Sequence, residues 1–81
     1  MRETVMRIAV TGATGFIGRY IVRHLVGLGH DCRCWCRPAS DRTGFEDVAA
    51  ARLAWLAGEL GDPHATAELV AGCDAVVHAA L

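Results

Sequence analysis

The chain has 81 residues, 53% of them apolar, and a formal net charge of −1, which allows one small core burying only about 60% of the unfolded surface. Its 8 basic and 9 acidic side chains form no run of one sign, which argues against a nucleic-acid partner, since that calls for a basic patch. No apolar run approaches the ~20 residues that span a bilayer, and "MRETVMRIAV" lacks the apolar segment and cleavage site of a secretory leader. A cytoplasmic protein with no membrane partner is expected.

Residues 1–5 read as a flexible lead-in, and "MRIAV" at 6–10 as a first strand closed by Thr11-Gly12. From 16 to 28 the period changes. Ile17, Ile21, Leu25 and Leu28 share one helical face, with Arg19 and Arg23 off it, and Gly29 supplies a stop. "CRCWC" at 32–36 reads as a second strand and "PASDRTG" at 38–44 as loop. "FEDVAAA" at 45–51 predicts a short helix and "RLAWLA" at 52–57 a third strand. Asp62-Pro63 opens a helix, the aspartate as N-cap and the proline in first position; it runs to about Ala71 and stops at Gly72. "DAVVHAA" at 74–80 is a fourth strand, nearly all apolar.

Apolar strands alternating with helices imply a parallel α/β sheet covered on both faces. Right-handed crossovers then leave the first half of a Rossmann-type doubly wound fold, strand order 3-2-1-4. The cysteines at 32, 34 and 36 would share one strand face about 7 Å apart, too far for thiolates that bind zinc at ~2.3 Å. They read as small hydrophobes, reduced because no secretion signal is present.

The chemically informative stretch is "VTGATGFIG" at 10–18. A helix N-terminus offers unpaired N–H groups and the positive end of a dipole, where a diphosphate can sit if no Cβ obstructs it. Gly12 would make the turn, Gly15 admit the phosphates, and Gly18 let the helix press on the strand, with the N–H groups of Phe16 and Ile17 facing the ligand. The alternative is a purely structural turn. A P-loop is excluded because the chain has no lysine.

These residues resemble the TGxxGxxG motif of the extended short-chain dehydrogenases/reductases, the NAD(P)-dependent epimerase/dehydratase superfamily. "GHDCRCWCRP" is similar to that family's second strand, "GELGD" to its GDL-D turn and "VVHAA" to its fourth-strand HxA segment. Residues 6–81 are thereby identified as the N-terminal portion of an NAD(P)-binding Rossmann domain. Asp31, at the right count to hold an NAD ribose, would lie at the start of its strand, whereas ligands bind beyond carboxyl ends. Arg37 is at the proper end and suits the 2′-phosphate of NADP, a role that the resemblance also implies; its alternative is a plain surface arginine. Arg33 and Ser40 are candidate helpers, although Arg33 falls two residues too early and reads as a solvated side chain.

The resemblance further implies adenine contacts from Glu59, which stands where the family has aspartate, and from Leu60; a solvated loop carboxylate is the alternative for Glu59. Ala79 and Ala80 would let the cofactor approach the backbone, and His78 reads as a packed strand histidine. With Thr14 in the turn, the cofactor-binding set is Gly12, Thr14, Gly15, Phe16, Ile17, Gly18, Arg37, Glu59, Leu60, Ala79 and Ala80. NADP is the expected cofactor, with NAD as the alternative.

The family's Tyr-x-x-x-Lys pair is absent. The one tyrosine, Tyr20, is followed four positions on by His24, so no catalytic residue is assigned. The family continues beyond the point matching Leu81, so the expectation is the cofactor-binding segment of a longer epimerase, dehydratase or reductase. The alternative is a non-catalytic dinucleotide-sensing protein of the same fold. An uncovered sheet edge would also favour self-association.

Overall fold

The computed structural model describes residues 4–37, 44–58 and 61–79. The readings for residues 1–3, Pro38, Ala39, Ser40, residues 41–43, Glu59, Leu60, Ala80 and Leu81 lie outside these. Four parallel strands, β1 (Arg7–Thr11), β2 (Asp31–Cys36), β3 (Leu53–Ala57) and β4 (Ala75–His78), form one sheet in the order β3-β2-β1-β4. That is the first half of the doubly wound arrangement. The register pairs Ile8 with Cys32 and Ala75, and Thr11 with His78.

Helix α1 (Phe16–Gly27) covers one face and α2 (Pro63–Val70) the other. Strand alternation sends Ile8, Val10, Cys32 and Cys34 towards α1, where they pack with Ala13, Val22, Val26 and Phe45. The opposite face presents Ala9 and Trp35 to Leu69 of α2. The α2 N-cap is Asp62, whose carboxylate accepts from the His64 N–H at 2.9 Å, with proline in the first turn, as its sequence predicts. At the end of α1 the Gly29 N–H donates to Val26 O and the His30 N–H to Leu25 O, closing the helix with paired carbonyls.

Three expectations change. The inward stripe of α1 is Gly18, Val22 and Val26, whereas Ile17 and Leu28 are 59% and 54% exposed. The helix is rotated because its close approach to the turn after β1 is made by a glycine, Gly18, against Gly12 and Ala13, which a count of large apolar residues overlooks. The helix expected at 45–51 is absent; turns lead to a 3₁₀ turn, Ala50–Arg52. There the Glu46 carboxylate folds back to accept the Gly44 N–H, and Phe45 is drawn into the core edge-on to Trp55; such local bonds compete with helix formation. Strand β4 is not covered on both faces, since its exposure alternates and Val76 is 53% exposed.

Cys32, Cys34 and Cys36 are buried in β2 and Cys73 is half-buried. Burial, helped by the adjacent Asp31 carboxylate, pushes the Cys32 thiol up to about 11. Burial and its two neighbouring thiols push Cys34 higher still. Both are harder to ionise folded than unfolded, so their contribution to stability is intact below the ordinary thiol value of 9.0; for Cys32 it is lost as pH rises towards about 11, and for Cys34 at still higher pH. At pH 8 a thiol reagent is therefore expected to label Cys73 first, with the β2 cysteines reacting only on unfolding. Rapid labelling of Cys34 in the native chain would contradict this packing.

Candidate functional site

All four strands run the same way, so the segments leaving their carboxyl ends share one rim. Arg37 follows β2, the glycine turn follows β1 and Ala79 follows β4. Because the sheet order is β2-β1-β4, the glycine turn lies between the other two. It is also where the winding reverses. The chain moves from β1 to β2 and β3, then returns to place β4 on the other side of β1, leaving a crevice of the kind where ligands bind.

The turn is built from backbone. Gly12 has φ +72°, a conformation that side chains other than glycine's disfavour, and its carbonyl accepts the Gly15 N–H at 3.1 Å. At Gly18 a Cβ would stand 1.8 Å from Gly12 O, 2.6 Å from Gly12 C and 2.9 Å from Ala13 Cα. Gly18 is thus required by the fold. Gly15 is different: it is exposed, its φ is −76°, and among the described residues a Cβ there would meet only Gly12 O, at 3.4 Å. The described residues leave space at Gly15.

That space adjoins the start of α1. Among the described residues no side chain caps this end, and its first turn holds no acidic residue, so its N–H groups and the positive end of its dipole are open to an anion. Phe16 and Ile17 lie there and are exposed. In α2 the corresponding position is filled by the chain's own Asp62 carboxylate. An anion would supply to α1 what Asp62 supplies to α2.

Thr14 is half-buried, and its carbonyl accepts from Arg19 Nε at 2.8 Å. The Arg19 guanidinium also lies over the Phe45 ring, 5.6 Å from its centroid. Arg23 donates to Gly44 O and forks onto both Asp47 oxygens, which holds that carboxyl below its ordinary range. These arginines, read from the sequence only as lying off the apolar face, tie α1 to the β2–β3 connection.

Arg37 is exposed at the carboxyl end of β2. Asp31 begins the same strand at the far end, paired with Arg52 at 3.0 Å. Arg33 is no helper to Arg37, since it is spent on the Glu68, Leu69 and Ala71 carbonyls at the end of α2. Ala79 is half-buried and donates to Thr11 O at 3.0 Å. Tyr20 is 73% exposed on α1 and stacked on His24.

His78 is exposed rather than packed, and its Nδ1 shares a hydrogen bond with the Thr11 hydroxyl. The two residues are 67 positions apart, and only the parallel register brings them together. Sequence reasoning missed the pair; the threonine before Gly12 was its one available signal.

Residues 8–81 match the profile of the NAD dependent epimerase/dehydratase family. The 2-alkyl-3-oxoalkanoate reductase of Stenotrophomonas maltophilia is 37% identical over 73 residues, covering 90% of this chain and 21% of that protein. Among solved structures, vestitone reductase from Medicago sativa superposes with a TM-score of 0.79 at 28% identity, over 90% of this chain and 24% of that one. The Bordetella bronchiseptica enzyme WbmH, solved in complex with NAD+, gives 0.78 at 26% identity, over 95% and 26%. The chain thus spans about a fifth to a quarter of the length of these relatives.

Proposed function

Since the chain belongs to the NAD dependent epimerase/dehydratase family, we propose that it forms the dinucleotide-binding segment of an NADP-preferring reductase, epimerase or dehydratase. The observation that carries this reading is the uncapped start of α1 beside the space at Gly15. The pyrophosphate would rest on the N–H groups of Phe16 and Ile17, with Gly12, Thr14 and Gly18 shaping the turn. Arg37 would pair with the adenosine 2′-phosphate, and Ala79 would flank the cofactor beside β1. By family likeness Glu59 and Leu60 would meet the adenine, and Ala80 would let the cofactor approach the backbone.

When bound, the nicotinamide supplies hydride chemistry. The residues of this chain bind and orient the cofactor. WbmH was solved with NAD+, so NADP preference here rests on Arg37. Charge-assisted hydrogen bonds to a phosphate are about twice as strong as neutral ones.

Calorimetric titration of the chain with NADPH and NADH tests both parts. NADPH should bind more tightly, and Arg37→Asp should weaken NADPH by about tenfold or more while changing NADH by less than about threefold. Equal losses would remove the phosphate role of Arg37. No binding of either nucleotide would remove the dinucleotide reading itself.

A further inference from the structure

We propose that His78 is a positioning residue for the dinucleotide site, acting through the Thr11 hydroxyl on the glycine turn; this rests on the reading of that turn as the pyrophosphate seat. Thr11 ends β1 and directly precedes Gly12. It is buried, 4% exposed, and is the buried polar residue among those described. Two bonds from the end of β4 hold it: the Ala79 N–H donates to its carbonyl, and its hydroxyl is bonded to His78 Nδ1.

The direction of these bonds matters. Val10 packs towards α1 and Ala9 towards α2, so alternation sends the Thr11 side chain to the α2 side of the sheet. The chain then leaves β1 for α1 on the other side. The His78 bond therefore pins the strand from the face opposite to its exit, at the last residue before the bend.

The bend amplifies small displacements of Thr11. Rotation about this residue moves the Gly12 carbonyl, and that oxygen has two neighbours with no slack. It accepts the Gly15 N–H, and α1 presses on it so closely that a Cβ at Gly18 would stand at 1.8 Å. Freeing the Thr11 hydroxyl thus reorients the Phe16 and Ile17 N–H groups together. The hydrophobic core does not explain His78, because its side chain is exposed. Its link to Thr11 explains it.

The test compares His78→Ala, His78→Asn, Thr11→Val and the Thr11→Val/His78→Ala double variant with the unaltered chain. An asparagine amide can stand near the Nδ1 position and restore the bond. NADPH affinity is read by calorimetry, and the backbone amide resonances of Gly12, Gly15, Phe16 and Ile17 are read by NMR in the free chain. Each disrupting variant should weaken NADPH binding by about tenfold, with the double variant no worse than either, because one shared hydrogen bond is lost. His78→Asn should bind within about threefold of the unaltered chain. The turn amides should move in His78→Ala and return in His78→Asn.

Unaltered affinity in His78→Ala, additive losses in the double variant, or failure of asparagine to rescue would overturn the proposal. Should the unaltered chain bind no dinucleotide, the reading of the site fails separately, and the turn amides still decide whether His78 sets their geometry. Should His78→Ala fail to fold, Thr11→Val and His78→Asn carry the same comparison.

Discussion

Gly18→Ala should destabilise the chain by about 3 kcal/mol, the upper end of the usual cost of overpacking. The sign is what makes this informative. Elsewhere in a helix, glycine to alanine stabilises by about 1 kcal/mol through backbone entropy. Here the new methyl would meet Gly12 O, Gly12 C and Ala13 Cα at 1.8, 2.6 and 2.9 Å. These are backbone atoms of a tight turn and cannot rotate aside. Relief requires α1 to lift, which uncovers Val22 and Val26 from the core. Against a total stability of roughly 4–12 kcal/mol for a chain of this size, the loss is severe. Gly27, in the last position of the same helix, has no atom of another described segment within 4 Å of its Cβ position. Gly27→Ala is the internal control and should hold or raise stability. Urea midpoints followed by circular dichroism check both; a Gly18→Ala midpoint at or above that of the unaltered chain would refute the close contact of α1 with Gly12.

Gly15→Ser should separate binding from folding in the opposite manner. Gly15 is the N-cap of α1, its φ of −76° and ψ of 172° suit any residue, and its Cβ would make only an ordinary contact with Gly12 O. Serine is a better N-cap than glycine by a few tenths of a kcal/mol, because its hydroxyl accepts an N–H of the first turn. Stability should therefore stay level or rise slightly. The serine side chain would occupy the space proposed for the pyrophosphate and engage a donor meant for it. NADPH affinity should fall by about a hundredfold, the equivalent of two charge-assisted hydrogen bonds. Denaturation midpoints and calorimetry on one preparation read both quantities. A variant that binds as tightly as the unaltered chain would show that the ligand does not approach Gly15.

The strand order and the position of the turn were legible because each depends on short-range pattern. Apolar runs separated by helix-length segments imply parallel crossovers, and glycines at 12, 15 and 18 between a strand and a helix mark the bend. Asp62-Pro63 named its helix start without ambiguity. The inward face of α1 was misread, since Ile17 and Leu28 outweigh Gly18 in any hydrophobic count although the glycine makes the contact. The segment 45–51 has helical composition, but Glu46 bonds back to Gly44 and Phe45 is pulled into the core. The first is a bond between neighbours two residues apart that composition does not announce, and the second depends on where Trp55 lies. Of the site, Gly12, Gly15 and Gly18 could be assigned distinct tasks from their spacing. The Thr11–His78 bond could not, because it requires the register between the first and last strands. The anchoring of residues 44–47 by Arg19 and Arg23 depends likewise on how α1 sits.

The uncapped beginning of α1 has a consequence for the lifetime of the protein. The start of α2 is completed by the chain's own Asp62. A fold that leaves a donor cluster to be filled from outside gains stability by mass action, about 2.7 kcal/mol when a guest is present at a hundred times its dissociation constant. For so small a domain that is a sizeable share of the total. On the proposed reading of this site, added coenzyme would raise the chain's resistance to unfolding and to proteases in step with its concentration.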